Sequence, residues 1–340
     1  MKLLTVTIPC YNSAAYMRRA VDSVLPGGDE IEILIIDDGS TDDTGAIADE
    51  YARRYPHIVR VIHQENGGHG EGINQGIRHA RGLYFKTLDS DDRLDERCLP
   101  DFMDLLREHA DEKTRVDLVV NDYVYDRPEK QAVYRIRYGR MFPPGKPVSW
   151  QDAGRFLMGN QFMIHAVCYR TQLLRDMNLE LPRHVFYEDN LYIYRPLPYT
   201  KTVLYAPYPL YGYFVGRADQ STSPDVILKR LSNVERIAEE MCCSYRWEEL
   251  CRQPRNLRDY MLSNICGYLC TASAQEFMTR TEEGRKLHRK MFDTIRAFDP
   301  ELDRHIRRHP LGWAASREGP LGRSLIVLCY HLVRSFIHVN

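Results

Sequence analysis

At 340 residues, with 44% apolar and 27% charged side chains, the chain has room for two domains, or one with an extension, and the make-up of a soluble globular protein. Its net charge of −1 supplies no global field for nucleic acid, which is excluded as a partner. The nine cysteines show no zinc-ligand spacing, and their odd number and scatter suit free thiols in a reducing compartment.

Met1-Lys2-Leu3-Leu4 starts like a signal segment, but Pro9 and Asn12-Ser13 end the apolar run too early for export. No stretch is long enough to span a bilayer, so a cytoplasmic protein is expected. Leu3 to Ile8 reads as a buried strand. Ala14, Met17, Ala20, Val21, Val24 and Leu25 follow at helical spacing, with Asn12 or Ser13 as cap. Ile31 to Ile36 is a second strand. Thr41 caps the next helix, whose inner face carries Ile47, Ala48, Tyr51 and Tyr55. Val59 to Ile62 is a short third strand, Ile73, Ile77 and Ala80 mark a third helix, and Leu83 to Leu88 is a fourth strand. Alternation of this kind predicts a parallel α/β sheet with ligands at the strands' carboxyl ends. Val116 to Asn121 reads as a strand, Pro143 to Pro147 as a loop, Gln151 to Leu157 as helix and Phe162 to Tyr169 as extended chain. From about Asp225 the pattern is helical.

Polar segments fall where that sheet would gather ligands: Pro9-Cys10-Tyr11-Asn12, Asp37-Asp38-Gly39-Ser40, Asn66-Gly67-Gly68 and Asp89-Ser90-Asp91-Asp92. Three carboxylates at the end of a buried strand need water, a cation or both. Hard divalent cations prefer such oxygen ligands and bring phosphates with them. Alone, the Asp-x-Asp is weak, because turns after strands are also rich in Asp. Downstream of the other loops it gains weight.

With these loops placed, the chain resembles the inverting family-2 glycosyltransferases of the GT-A fold. Val6 to Asn12, Asp37 to Asp42, Asn66-Gly67-Gly68, Asn74, Asp89 to Asp92 and Asp189 carry the resemblance, densely over the first 100 residues and sparsely beyond. Asn66 to Gly70, Phe186 to Asn190 and Gly216 to Ser221 look like a bacterial subgroup. The resemblance implies a metal-dependent transfer, with Mn²⁺ or Mg²⁺, from a UDP-sugar to a hydroxyl of a glycan or lipid-linked acceptor in polysaccharide or glycolipid synthesis. It implies a transferase domain over 1–220, with a nucleotide-sugar half at 1–98 and an acceptor half at 99–220. A helical region over 221–340 follows.

The chemistry assigns roles. Asp38 accepts the uracil N3–H, or else forms an Asx turn, a task open to Asp37. Tyr11 stacks on the base, or is simply a buried tyrosine at a strand end. Pro9 and Asn12 shape the first loop. Asn66 and Asn74 hold ribose or cap the third helix, the cap being favoured for Asn66. By resemblance Asp89, with Ser90, meets the nucleotide side, Asp91 coordinates the metal with Asp89, and Asp92 anchors the turn. The family often has arginine before the asparagine matching Asn74. Ile73 stands there, leaving Arg217 to serve the diphosphate or to pair with Asp219. Asp189 is the general base that takes the acceptor proton, its pKa raised by neighbouring Glu188. Glu188 and His165 are acceptor-site candidates, His165 having a structural reading as well; His69 is read as structural. Two other readings are an inactive nucleotide-sugar-binding subunit and a sugar-nucleotide nucleotidyltransferase. The latter lacks the glycine-rich basic loop expected after the first strand.

The last helix, Leu321 to His338, places Arg323, Ser324, His331, Arg334, Ser335 and His338 on one arc, with mostly apolar residues elsewhere. It either packs on its own domain or a second copy, or lies in a membrane interface on the inner face with its basic arc toward anionic headgroups.

Overall fold

The computed structural model describes residues 1–127, 132–154, 156, 161–215 and 230–337. The chain divides into two compact units, Met1–Arg155 with Phe162–Gly216, and Phe156–Gln161 with Arg217–Asn340.

The first unit is built on one mixed sheet. β1 (Leu4–Cys10) lies parallel between β2 (Ile31–Asp37) and β4 (Tyr84–Thr87), and β3 (Val59–His63) extends the parallel side beyond β2. Every residue of β1, β2 and β4 is buried, which is why these strands read as unbroken apolar runs rather than alternating ones. Three helices connect them: α1 (Met17–Val24), α2 (Thr44–Arg54) and α3 (His69–His79). β5 (Arg93–Leu94) and α4 (Leu99–Glu108) follow. Past β4 the sheet turns mixed. β9 (Val167–Arg170) is antiparallel to both β4 and β6 (Leu118–Arg127), and β6 is parallel to β10 (Thr202–Phe214). β7 (Ala132–Ile136) hangs on β6, and β8 (Val148–Ser149) on β10. Helices α5 (Thr171–Asp176) and α6 (Asp189–Tyr194) flank the segment that reaches the site.

Several local expectations are corrected. α1 starts at Met17, and α2 at Thr44 rather than after Thr41. Asn12 is no helix cap: its side-chain oxygen accepts the Thr41 N–H at 2.9 Å and ties the first loop to the second. Residues 151–154 form a turn and irregular chain, not a helix. The extended stretch from Phe162 is interrupted by a single 3₁₀ turn, Ile164–Ala166, which carries His165. Gly68 precedes α3 with φ +85°, and a Cβ there would meet the His184 backbone nitrogen at 3.0 Å. Glycine is therefore required both for the turn and for the approach of the 181–188 segment.

The second unit is helical: α7 (Leu231–Cys242), α8 (Trp247–Cys251), α9 (Arg255–Met278), α10 (Glu282–Phe298), α11 (Pro300–Arg308), α12 (Pro310–Ala315) and α13 (Pro320–Ile337). The Thr281 hydroxyl caps α10 and the Asp299 carboxylate caps α11, as short oxygen-bearing side chains do. On α13, Ile326 is buried while Leu325 and Leu328 are exposed. Among the described residues no helix is long and apolar enough to cross a membrane.

Candidate active site

The loops after β1 and β2 are locked together. Asp37 takes the turn, its Oδ1 accepting the Ser40 N–H at 3.1 Å while Oδ2 meets His63 Nδ1 at 2.8 Å. Asp38, 3% exposed, turns the other way. Its carboxylate accepts the N–H groups of Gly67 and Gly68, both at 2.8 Å, and the Gln64 amide at 2.6 Å. A carboxylate has about four acceptor positions, so one on Oδ2 remains for a ligand. The Asn66 amide donates to the Asp38 carbonyl at 2.9 Å, and Gly68 holds the N-cap position of α3, so Asn66 is not the cap.

Asp38, Asn66 and Gly68 border a cavity of about 340 Å³ that Pro9 and Cys10 also line. Tyr11 and Phe186 stand at its walls, 54% and 42% exposed, so the reading of Tyr11 as a buried strand-end tyrosine is corrected. His184 and Val185 complete the wall with His69. Asn74 is elsewhere. Its amide is buried, donating to Glu71 and to the Leu181 carbonyl and accepting the Leu181 N–H. With its hydrogen bonds used this way it is a strut for the 181–188 segment, which corrects the ribose and capping expectations together.

Beside the cavity, β4 ends in the carboxylate loop. Ser90 Oγ lies 2.8 Å from Ser13 Oγ, and Asp91 is half-buried. Asp92 is buried and anchors the turn, accepting the Tyr211 hydroxyl at 2.6 Å and the Phe214 N–H at 2.7 Å. Burial and the charges of Asp89 and Asp91 push its pKa well above the usual carboxylate range. Burial also works to raise Asp89, but the hydrogen bond from His69 together with nearby imidazole charge outweighs it and holds that group low. His165 is buried, with its ring 4.5 Å from those of Tyr211 and Tyr213. Its Nδ1 has no hydrogen-bond partner. Burial pushes it down to about 4, so it is neutral at pH 7. Below it, the buried Lys86 ammonium donates to the His165 carbonyl at 2.8 Å and to Asn121 at 3.0 Å, fixing the 3₁₀ turn.

Ligand atoms of Asp89, Asp92 and His165 all lie within 4.8 Å of one another. Crowded carboxylates, one of them forced toward its neutral form, together with an imidazole nitrogen left without a partner, form a donor set that fits a divalent cation.

His69, at the first position of α3, bridges the site: Nδ1 is 2.7 Å from Glu188 and Nε2 is 3.1 Å from Asp89. Burial lowers its pKa, but the two carboxylates overcome that and raise it well above 6.5. Glu188 is thereby committed to His69. Asp189, the next residue, opens α6, and burial followed by the Glu188 charge raises it to about 7. The segment that delivers the acidic pair is strained, with His184 at φ +53° and Tyr187 at φ +71°. Arg217 lies outside the described residues.

The structure thus brings together Pro9, Tyr11, Asp38 and Asn66 around the cavity, with Asp89, Asp92, His165, Glu188 and Asp189 linked beside it through contacts or charge. It adds His69, His184, Val185 and Phe186. A histidine at a helix start looks like any surface residue in sequence; only its two carboxylate partners, 20 and 119 positions away, give it meaning.

A family model described as glycosyl transferase family 2 matches residues 5–167. The glycosyltransferase GlyG of Streptococcus pneumoniae is 30% identical over 224 residues, spanning 57% of this chain and 71% of GlyG. The putative glycosyltransferase EpsH of Bacillus subtilis is 28% identical over 62% of this chain and 60% of its own length. The chondroitin synthase of Escherichia coli is 43% identical over 105 residues, of which the chain spans 15% of the enzyme. Among solved structures, TarS 1–349 of S. aureus in complex with UDP-GlcNAc superposes with a TM-score of 0.66 at 19% identity, over 98% of this chain and 92% of TarS. A mannosyltransferase of Pyrobaculum calidifontis in complex with GDP-Man and Mn²⁺ gives 0.51 at 15% identity, over 97% and 79%. At these identities the structural likeness shows a shared fold.

Proposed function

As the chain belongs to glycosyl transferase family 2, we propose that it moves a sugar, with inversion, from a UDP-sugar to a hydroxyl of a glycan or lipid-linked acceptor in cell-surface polymer or glycolipid synthesis. It is a glycosyltransferase with the GT-A fold and a helical C-terminal region. The observation that carries the finer reading is one arrangement: an aromatic-walled cavity, a carboxylate cluster beside it, and a single carboxyl raised to about 7. UDP and UDP-GlcNAc in the TarS complexes support a uridine donor.

In this reading the base lies between Tyr11 and Phe186 and uses the open acceptor position of Asp38, with Pro9, Asn12 and Asn66 shaping the floor. Asp89 and Asp91 would hold Mn²⁺ or Mg²⁺, with Asp92 and His165 adjoining; such an ion would supply charge to neutralise the departing diphosphate. Asp189 takes the acceptor's hydroxyl proton as that oxygen bonds to the anomeric carbon. The bond from that carbon to UDP breaks on the opposite side, its electrons leaving with the diphosphate. A carboxyl titrating near 7 is matched to this task at neutral pH. The exposed Leu325 and Leu328 on α13 support attachment at a membrane surface, where a lipid-linked acceptor would wait.

The test is a thermal-shift screen of UDP-sugars with Mn²⁺, with and without chelator, followed by UDP release. A UDP-sugar should raise the melting temperature by mass action and be turned over only with metal. If no UDP-sugar does either, the uridine assignment fails.

A further inference from the structure

A second cavity, of about 700 Å³, lies wholly within the helical unit, where the end of α9, the start of α10 and the first turns of α13 meet. Arg280, Arg285 and Arg323 line it together with the apolar Phe277, Val327 and Leu328. Most arginines on α10 and α11 are neutralised nearby. Arg285 and Arg289 pair with Glu282, Arg296 and Arg307 with Asp303, and Arg304 with Glu301. Arg280 and Arg323 make no ion pair among the described residues. Arg323 lies over the Phe277 ring at 5.6 Å, and its Nε is buried with no acceptor. A buried donor on a cation is costly until an acceptor arrives. Arg280 sits just past α9 at φ +56°, a position where glycine or asparagine is usual. Both arginines therefore line one cavity, and neither has an ion-pair partner among the described residues. Apolar surface continues outward from the rim, through Leu328, 56% exposed, to Leu325 and Trp313, with Arg317 stacked on Trp313 at 4.4 Å.

We propose that this cavity is a binding site for a phosphate ester, held by Arg280 and Arg323. Planar guanidinium forks match phosphate oxygens, two donors to two acceptors. The apolar residues beside these arginines fit the first carbons of a chain attached to that phosphate, so an anionic lipid headgroup suits both kinds of lining. The site is in the helical unit and does not depend on the assignment of donor or acceptor.

The full chain is tested with three probes: vesicles of phosphatidylcholine, the same vesicles containing phosphatidylglycerol, and glycerol 3-phosphate in solution. Co-sedimentation is expected only with phosphatidylglycerol. The Arg280→Gln/Arg323→Gln pair should weaken it about 30-fold, while Arg289→Gln, already ion-paired, leaves it unchanged. Leu325→Asp, on the exposed face outside the cavity, should weaken vesicle binding and retain any response to glycerol 3-phosphate. If glycerol 3-phosphate raises the melting temperature of the wild type but not of the double variant, and vesicles do not bind, the phosphate site stands and its source is a soluble ester. If the double variant does not fold, Arg280→Gln alone carries the test, with about a fivefold loss, because its exposed side chain has no partner to lose. Binding by neither probe, or variants that bind like the wild type, would overturn the proposal.

Discussion

Asp189→Asn should inactivate the enzyme and stabilise its fold at alkaline pH. The Asp189 carboxyl titrates at about 7 in the folded chain, against an ordinary value of 3.8, because burial and the Glu188 charge oppose its ionisation. The folded state therefore holds this proton more tightly than the unfolded chain. Stability from that preference is fully present below 3.8 and is lost as pH rises to about 7. Each pH step across that window is worth about 1.4 kcal/mol, so ionised Asp189 costs the fold at most ~4 kcal/mol at pH 8. Asp189 keeps a partly open edge, and as the first residue of α6 it gains about 0.5 kcal/mol from the helix dipole, which asparagine forgoes. A net gain of roughly 2 kcal/mol is expected at pH 8, shrinking toward pH 5. Urea denaturation of both proteins at several pH values measures it. In parallel, UDP release should fall roughly 100-fold or more in the variant, and wild-type turnover should rise with pH through a midpoint near 7. An Asp189→Asn protein that is no more stable at pH 8, or that transfers at a normal rate, refutes the reasoning; Glu188 is then the next candidate.

Three further outcomes are expected. His69→Ala leaves Glu188 buried without its partner and should cost roughly 2 kcal/mol by denaturation. Because His69 is raised in the fold, its contribution is complete below 6.5 and fades as pH climbs through the raised value, so the variant should flatten the alkaline limb of the stability curve. Tyr11→Ala and Phe186→Ala should each raise the donor KM about tenfold, the worth of one stacked ring, with no change in melting temperature because both side chains are largely exposed. Asp91→Ala should remove metal-dependent turnover, measured at saturating donor, while circular dichroism shows an intact fold; turnover at the wild-type rate would reassign the metal to Asp89, Asp92 and His165 alone.

The parallel half of the fold was legible because its strands are buried on both faces and its helices carry regular apolar spacing. Ile31 to Ile36 admits no other reading. The mixed half was less so. β9 is only four residues long, and its pairing with β4 and β6 spans separations no local pattern encodes. Gln151 to Leu157 carries helical spacing, yet residues 151–154 fold as turn and irregular chain, with Trp150 buried and its indole N–H held by Thr200, 50 positions away. Asn74 shows the same limit within the site. Its side chain suits ribose or a helix cap, and only the approach of Leu181 reveals it as a strut.

The missing arginine before Asn74 has a physical counterpart. Ile73 is fully buried, so on this backbone the position faces the core. An arginine there would have to carry its charge out of an apolar site. One helical turn earlier, on the same face of α3, stands His69. Its imidazole lies against Asp89 and is held in the charged form by Asp89 and Glu188. The positive charge that the sequence lacks at 73 is therefore present at 69, where it ties the carboxylate loop to the segment carrying Asp189. That segment is fastened to α3 and the turn before it by Asn74 with Leu181, Glu71 with Arg183, His69 with Glu188, and the Gly67 carbonyl with the His184 N–H. The strained backbone at His184 and Tyr187, costing roughly 1–3 kcal/mol each, is tolerated because those contacts over-determine it. It sets Phe186 at the cavity and Asp189 at the head of α6, so that in the proposed function one short segment would supply both a wall for the base and the group that takes the proton.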